Sequence, residues 1–214
     1  MIRHILATLL MISAPAFAAG ELAASATGVQ PLLLGSEAPD VALKTLEGKA
    51  TSLWKQMDGK PAILVFYRGG WCPYCNTQLS DLRLILKDVE ALGYRVLAIS
   101  PDRPEELGKT LSKDKLEYTL LSDSKADALK AFGIGFVVDQ ETITKYQGYG
   151  IDLEKSSGEQ HHALPVPSVF IVDSQHILQF SFTHPDYRVR VPGSVILAAA
   201  KAISERAQYV QPTR

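Results

Sequence analysis

Cysteine is nearly absent from this chain: two in 214 residues, Cys72 and Cys75. Two are too few for the disulfide framework of a small stapled scaffold, so the chain must fold around an apolar core. Excess charge is lacking as well. The 22 Lys and Arg stand against 23 Asp and Glu, a formal net charge of -1, which gives no general attraction to nucleic acid. No apolar run reaches the roughly 20 residues that a bilayer core demands. No internal repeat and no long low-complexity tract point to a solenoid or a disordered protein. What is there, 46% hydrophobic and 21% charged residues, is the composition of an ordinary globular domain.

The amino-terminal stretch has its own pattern. Arg3 and His4 precede an apolar run from Ile5 to Ile12, and Ala16-Phe17-Ala18 supplies the small residues of a cleavage site. This order predicts a secretory signal peptide over 1–18 and a secreted protein, placed in the periplasm of a bacterium. The run is too short to span a membrane and Pro15 breaks it. No Cys stands beside the cleavage site to carry a lipid, so no stable membrane anchor is expected after cleavage. Residues 19–34 read as a flexible leader, 35–206 as one domain and 207–214 as a tail.

Within the domain, β-prone runs alternate with amphipathic helical ones. Ala62 to Tyr67 is a continuous apolar run, the signature of a strand buried on both faces. Pro73 to Leu92 follows, with Leu79, Leu82, Leu86 and Val89 at helical spacing and Gly93 as a stop. Further strands are expected at Arg95 to Ile99 and Tyr118 to Leu121, with helices at Pro104 to Ser112 and Ser124 to Phe132. Val169 to Val172 and Ile177 to Phe182 read as a hairpin through Asp173-Ser174-Gln175, and Ser194 to Arg206 as a closing helix. The order predicts an α/β fold: a central mixed, mostly parallel sheet, helices on both faces, and a C-terminal β-hairpin plus helix.

The two cysteines fall at the junction of the first predicted strand and helix, in Phe66-Tyr67-Arg68-Gly69-Gly70-Trp71-Cys72-Pro73-Tyr74-Cys75. Glycine tolerates the positive φ of a sharp turn, and Pro73 suits the first helical position. Cys72 then sits at the helix start, where free N–H groups and the helix dipole favour thiolate over thiol. Two sulfurs in Cys-x-x-Cys spacing at such a place are a redox dithiol, a redox-active centre that cycles through a disulfide bond. Arg68 either adds positive charge there or is a solvated surface residue. Trp71 and Tyr74 either form an apolar docking surface around the sulfurs or are packed inside.

Trp71-Cys72-Pro73-Tyr74-Cys75 resembles the centre of thioredoxin-like proteins. Gly35-Ser36-Glu37-Ala38-Pro39-Asp40, the segment Leu43 to Leu53 with Gly48, and Gly59-Lys60-Pro61 leading into Val65-Phe66-Tyr67 resemble the opening of the alkyl hydroperoxide reductase/thiol-specific antioxidant family, and most of all its peroxiredoxin-like branch. The resemblance runs from about Gly35 to Ser204 and implies a thioredoxin-like fold. It also implies an antioxidant oxidoreductase that reduces hydroperoxides at the expense of a thioredoxin-like thiol donor, without cofactor or metal. Two departures matter. On the family pattern Pro-x-x-x-Thr-x-x-Cys, Arg68 replaces the Pro and Cys72 the Thr, while Cys75 takes the position of the peroxide-attacking Cys. Pro167 stands where the family keeps an Arg that helps hold the peroxide. In thioredoxins a cis proline lies beside the dithiol, so Val166-Pro167 resembles that element and implies exchange with a protein disulfide.

Two assignments of the nucleophile therefore stand side by side. On the thioredoxin pattern Cys72 is an exposed attacker and Cys75 a buried resolver; on the peroxiredoxin pattern Cys75 attacks and Cys72 condenses with it. The catalytic candidates are Cys72 and Cys75, supported by Arg68, Trp71, Pro73 and Pro167. The other readings are a disulfide reductase for exported protein partners, such as one serving cytochrome assembly, and a binding module with a static disulfide. His161 and His162 precede the Pro-rich turn and read as a polar surface loop rather than as metal ligands, since they lack the spacing of a zinc site. Glu141 to Gly158 reads as a polar helix and loop, inserted between residues 139 and 165 as a surface elaboration or a cover for the site.

Overall fold

The computed structural model describes residues 20–114 and 116–209; the expected signal peptide and most of the tail lie outside them. A 3₁₀ turn at Ala26–Gly28 precedes β1 (Ala42–Lys44), β2 (Ala50–Ser52) and α1 (Leu53–Met57). The central units are β3 (Ala62–Phe66), α2 (Pro73–Ala91), β4 (Arg95–Ser100), α3 (Pro104–Asp114), β5 (Thr119–Ser122) and α4 (Asp127–Ala131). They are followed by β6 (Gly135–Val137), α5 (Gln140–Gly148), α6 (Leu153–Ser157) and β7 (Ala163–Pro165). The chain closes with β8 (Ser168–Val172), β9 (Leu178–Thr183) and α7 (Gly193–Tyr209).

Seven strands form one mixed sheet in the order β2-β1-β5-β4-β3-β8-β9. Its parallel part is β5-β4-β3, with Ala62 opposite Arg95 and Leu97 opposite Thr119. β8 runs antiparallel to β3, and the hairpin β8-β9 forms the edge. Every residue of β3 is buried, because helices cover both faces of the sheet and an uninterrupted apolar strand is what such a position requires. Ile63 and Val65 face a cluster completed by Leu79, Leu82 and Val89 of α2 and Ile196 and Ala200 of α7. Ala62, Leu64 and Phe66 face the other side, with Leu53, Met57, Leu129, Phe132 and Phe170. Two layers of helix on one sheet place the C-terminal end of β3, and with it the dithiol turn, at the rim of the sheet.

The expected elements are present, and the structure adds short ones. β1, β2 and α1 come from the stretch around Gly48, where three-residue strands are too brief for a period to show. α4 begins later than expected, after Ala126 in the left-handed region as its N-cap, and the Asp123 carboxylate accepts the N–H groups of Ala128 and Leu129 in its first turn at 3.0 and 2.9 Å. The stretch expected as a flexible leader is bonded to the body. Ala23 N–H donates to Gly135 O, Val137 N–H to Ala23 O, and Gln30 N–H to Gly133 O.

Candidate active site

The backbone leaves β3 through a turn that admits only glycine at two positions. Gly69 has φ +147, and a Cβ there would lie 2.7 Å from Asp102 Oδ1; a Cβ on Gly70 would run into the Thr110 side chain. The Gly70 N–H donates to Asp102 Oδ2 at 2.8 Å, Asn76 Nδ2 donates to Gly70 O at 3.0 Å, and Cys72 N–H donates to Gly69 O at 3.1 Å. Cys72 is the N-cap of α2 and Pro73 its first residue, which puts Cys75 in the first turn. Both thiols are free. They are also buried, Cys72 at 1% and Cys75 at 0% exposure, so the exposed attacker that the thioredoxin pattern implies is corrected: both sulfurs pack into the cluster on the α2 side of the sheet.

The two sulfurs are unequal. Hydrogen bonding from the Cys75 thiol draws the Cys72 thiol down to about 6 against the opposing effect of burial, helped by the Cys75 amide and the charges of Arg68 and Arg190. Cys75 moves up, because burial and the adjacent Cys72 outweigh Arg190. The opposite directions of the two shifts favour the negative charge on Cys72 and the proton on Cys75. Arg190, from the loop before α7, donates from Nη2 to Cys75 Sγ at 3.2 Å. A proton-holding sulfur can accept that bond and still donate to Cys72, giving a chain from guanidinium to thiol to thiolate.

Arg68 is buried, not a solvated surface residue. Its guanidinium lies 5.1 Å from the Trp71 ring centre, 5.4 Å from that of Tyr146 and 4.6 Å from that of Tyr187, and it donates to the Tyr146 hydroxyl. Trp71 is half-buried and tilted against Tyr146 at 5.7 Å. Tyr146 belongs to α5, so the inserted segment covers the site from one side. Tyr74 is 43% exposed and meets Tyr187 edge to face. A cavity of about 190 Å³ opens beside Arg68, bounded by Phe136, Val138, Tyr146, Pro167 and Tyr187.

Pro167 reaches this cavity wall, but its peptide bond is not cis: no cis bond occurs among the described residues. The chain runs extended from β7 to β8 there, held by Val166 N–H to Ile134 O and by Ser168 Oγ to Val166 O. The histidines have structural partners. His161 bonds Ser124 O and the Ala163 amide, and His162 pairs with Glu154 at 2.9 Å. Asp102, at 2% exposure, is pushed by burial up to about 7, with the Gly70 amide opposing and the charges of Glu106 and Cys72 adding to the rise.

Sequence reasoning did not find Arg190, Tyr146, Tyr187 or Asp102. The first lies 115 residues from Cys75, and Tyr146 78 from Arg68, and no local spacing signals a contact at that range. For Asp102 a faint cue existed: a carboxylate just beyond a buried parallel strand, at the rim where sites of such sheets collect.

The model of the AhpC/TSA family matches residues 34–181. The putative peroxiredoxin Bcp of Haemophilus influenzae is 36% identical over 106 residues, half of this chain and 68% of that protein. The peroxiredoxin Bcp of Escherichia coli K12 is 32% identical over 106 residues, covering 50% and 67%. Among solved structures, peroxidoxin BcpB of Mycobacterium tuberculosis superposes with a TM-score of 0.61 at 18% identity, over 79% of this chain and 97% of that one. That likeness is one of fold.

Proposed function

The chain belongs to the AhpC/TSA family and is a peroxiredoxin-like enzyme that reduces hydroperoxides, and we propose that Cys72 is its attacking thiolate and Cys75 its resolving thiol. The carrying observation is the inequality of the sulfurs: Cys72 is drawn down to about 6 at the start of α2, while Cys75 is held protonated beside it. Cys72 Sγ attacks the terminal peroxide oxygen. The O–O bond breaks, the alkoxide takes a proton and leaves as an alcohol, and Cys72 carries a sulfenic acid. Cys75 Sγ then attacks Cys72 Sγ; the S–S bond forms, and the departing hydroxide leaves as water with the Cys75 proton. A thioredoxin-type thiol donor reduces the disulfide by thiolate attack and returns the two electrons.

The cavity beside Arg68 receives the organic part of the hydroperoxide, and the guanidinium faces the oxygens as charge develops on them. Arg190 supplies a second guanidinium, in a fold that has Pro167 where the family keeps its Arg. Trp71 and Tyr146 hold Arg68 in place. Export to a periplasm belongs to the same reading and rests on the pattern of residues 1–18; cell fractionation with an antibody tests it, and a cytoplasmic pool of unprocessed chain contradicts it.

A second assignment has its own support. Cys75 takes the register of the family's attacking Cys, and Arg190 touches it directly. Single-cysteine variants decide between the two. With hydrogen peroxide and a sulfenic-acid trap, Cys75→Ser is expected to be labelled at Cys72 at a rate well above that of free cysteine, and Cys72→Ser to react slowly. The reverse result assigns the attack to Cys75, and no fast labelling in either contradicts the peroxidase reading.

A further inference from the structure

Among the described residues no carboxylate pairs with Arg68 or Arg190, and the Nε of each is buried with no partner there. Arg68 finds only aromatic faces and a tyrosine hydroxyl. Arg190 donates to the carbonyl of its own neighbour Val189 at 3.2 Å and to Cys75 Sγ. The guanidinium of Arg68 is buried and that of Arg190 half-buried, and burying a cation without an anion is costly. The anion these two share is the thiolate of the reduced dithiol, which both favour electrostatically.

We propose that the Cys72–Cys75 disulfide, formed by hydroperoxide, is a strong oxidant that is passed on to pairs of cysteines in client proteins, because two guanidinium groups stabilise the reduced dithiol and lose their anion when the neutral disulfide forms. This rests on the peroxide reading for its supply of oxidant. The direction follows from the thermodynamic cycle: whatever stabilises the reduced form makes its disulfide easier to reduce, and therefore a better donor of that disulfide to other thiols. The N-terminus of the 19-residue α2 acts in the same sense, since its dipole favours the thiolate at Cys72.

The transfer balances in two exchanges. A client thiolate attacks Cys72 Sγ, the Cys72–Cys75 bond breaks, and its electron pair goes to Cys75, where Arg190 stabilises the charge until a proton arrives. The second client thiolate then attacks the client sulfur of the mixed disulfide; the client S–S bond forms and Cys72 leaves as the thiolate. Each cycle converts one hydroperoxide and one client dithiol into an alcohol, water and one client disulfide. Tyr74 in the first turn of α2 and Tyr187, each 43% exposed and touching edge to face, offer an unfolded client an apolar contact.

The test uses the full chain and a synthetic unstructured peptide with two cysteines. Reduced protein is oxidised with one equivalent of hydrogen peroxide or, in a parallel arm, with diamide; excess oxidant is removed, one equivalent of reduced peptide is added, and both products are read by mass spectrometry. Near-complete peptide disulfide with regenerated protein dithiol is expected in both arms. Protein disulfide that forms but leaves the peptide reduced at equilibrium overturns the proposal. Transfer in the diamide arm alone refutes the peroxide reading and leaves the donor assignment standing. In glutathione buffers, Arg190→Met and Arg68→Met are each expected to shift the equilibrium about tenfold toward the disulfide, and Arg190→Lys to restore most of the shift. An equilibrium unchanged in the folded Met variants overturns the role given to the guanidinium groups.

Discussion

The dithiol lies between two walls of different origin. The near wall, residues 66–75, comes from one continuous stretch in which strand end, glycine turn, N-cap and helix follow one another. The far wall comes from α5 and the loop 184–192, and its contacts bridge 78 and 115 residues of chain. The loop itself shows what separates them. Arg188 is exposed and bound to Asp186 through Nε and Nη2 at 2.9 and 2.8 Å, so its charge is answered two residues away. Arg190 turns inward to Cys75 without a carboxylate. Local pairing makes one arginine a loop clamp, and its absence makes the other part of the site. The near wall fixes where the sulfurs are and, through the Cys75 hydrogen bonds and the charge of Arg68, most of what draws the Cys72 thiol down; the far wall adds the charge of Arg190.

Breaking the near wall is expected to have the largest effect. Gly70→Ala drives a Cβ into the Thr110 side chain, which displaces the turn, costs about 1–3 kcal/mol of stability and abolishes rapid peroxide oxidation; Thr110→Ala in the same chain is expected to recover part of both. Unfolding curves and stopped-flow oxidation check this, and an active, undestabilised Gly70→Ala contradicts the role of the turn.

The far wall is expected to act through charge. Arg190→Met should raise the pH midpoint of the Cys72 thiolate and slow peroxide oxidation at pH 6, while Arg188→Met leaves both unchanged because its charge is already paired with Asp186. Equal effects of the two would erase the comparison. Smallest is Tyr146→Phe, which removes the acceptor of the Arg68 hydrogen bond and keeps the ring; a loss of about 0.5–1.5 kcal/mol and a modest loss of rate are expected, and a change as large as that of Arg190→Met would show that the inserted segment does more than hold Arg68.

The same division sets how much could be read from the sequence. Ala62 to Phe66 is legible as a buried strand because no polar residue interrupts it, and α2 because Leu79, Leu82, Leu86 and Val89 keep helical spacing. Cys72 and Cys75 follow at once, since Gly69, Gly70 and Pro73 carry the turn and cap in their own chemistry. The position of Arg190 depends on how α7 docks on α2, where Gly193 N–H donates to Asp81 Oδ2 at 2.7 Å. No pattern within the loop encodes that docking. The Val166-Pro167 bond is not cis, so the likeness to the thioredoxin element stops at the residue type, which leaves the isomer open because cis is the minority state of X-Pro bonds. Arg68 stays ambiguous in the sequence because two of the three rings around it, Tyr146 and Tyr187, are remote in the chain.

The central claim is that Cys72 is held as a thiolate by its surroundings, and alkylation of the reduced protein as a function of pH tests it most directly. Since the folded protein draws Cys72 down to about 6 from the roughly 8.5 of a free cysteine, the anion is the favoured form between those values. Reactivity should rise through about pH 6 and level off near neutrality, and the stability that the thiolate contributes should be full above about pH 8.5 and lost as pH falls through about 6. Iodoacetamide labelling followed by mass spectrometry, with Cys75→Ser as the variant in which the donated hydrogen bond is weakened, reads the midpoint at Cys72. A midpoint near 6 in the native chain, moving upward in Cys75→Ser, is the predicted result; a midpoint above about 8, that of an ordinary cysteine, contradicts the account.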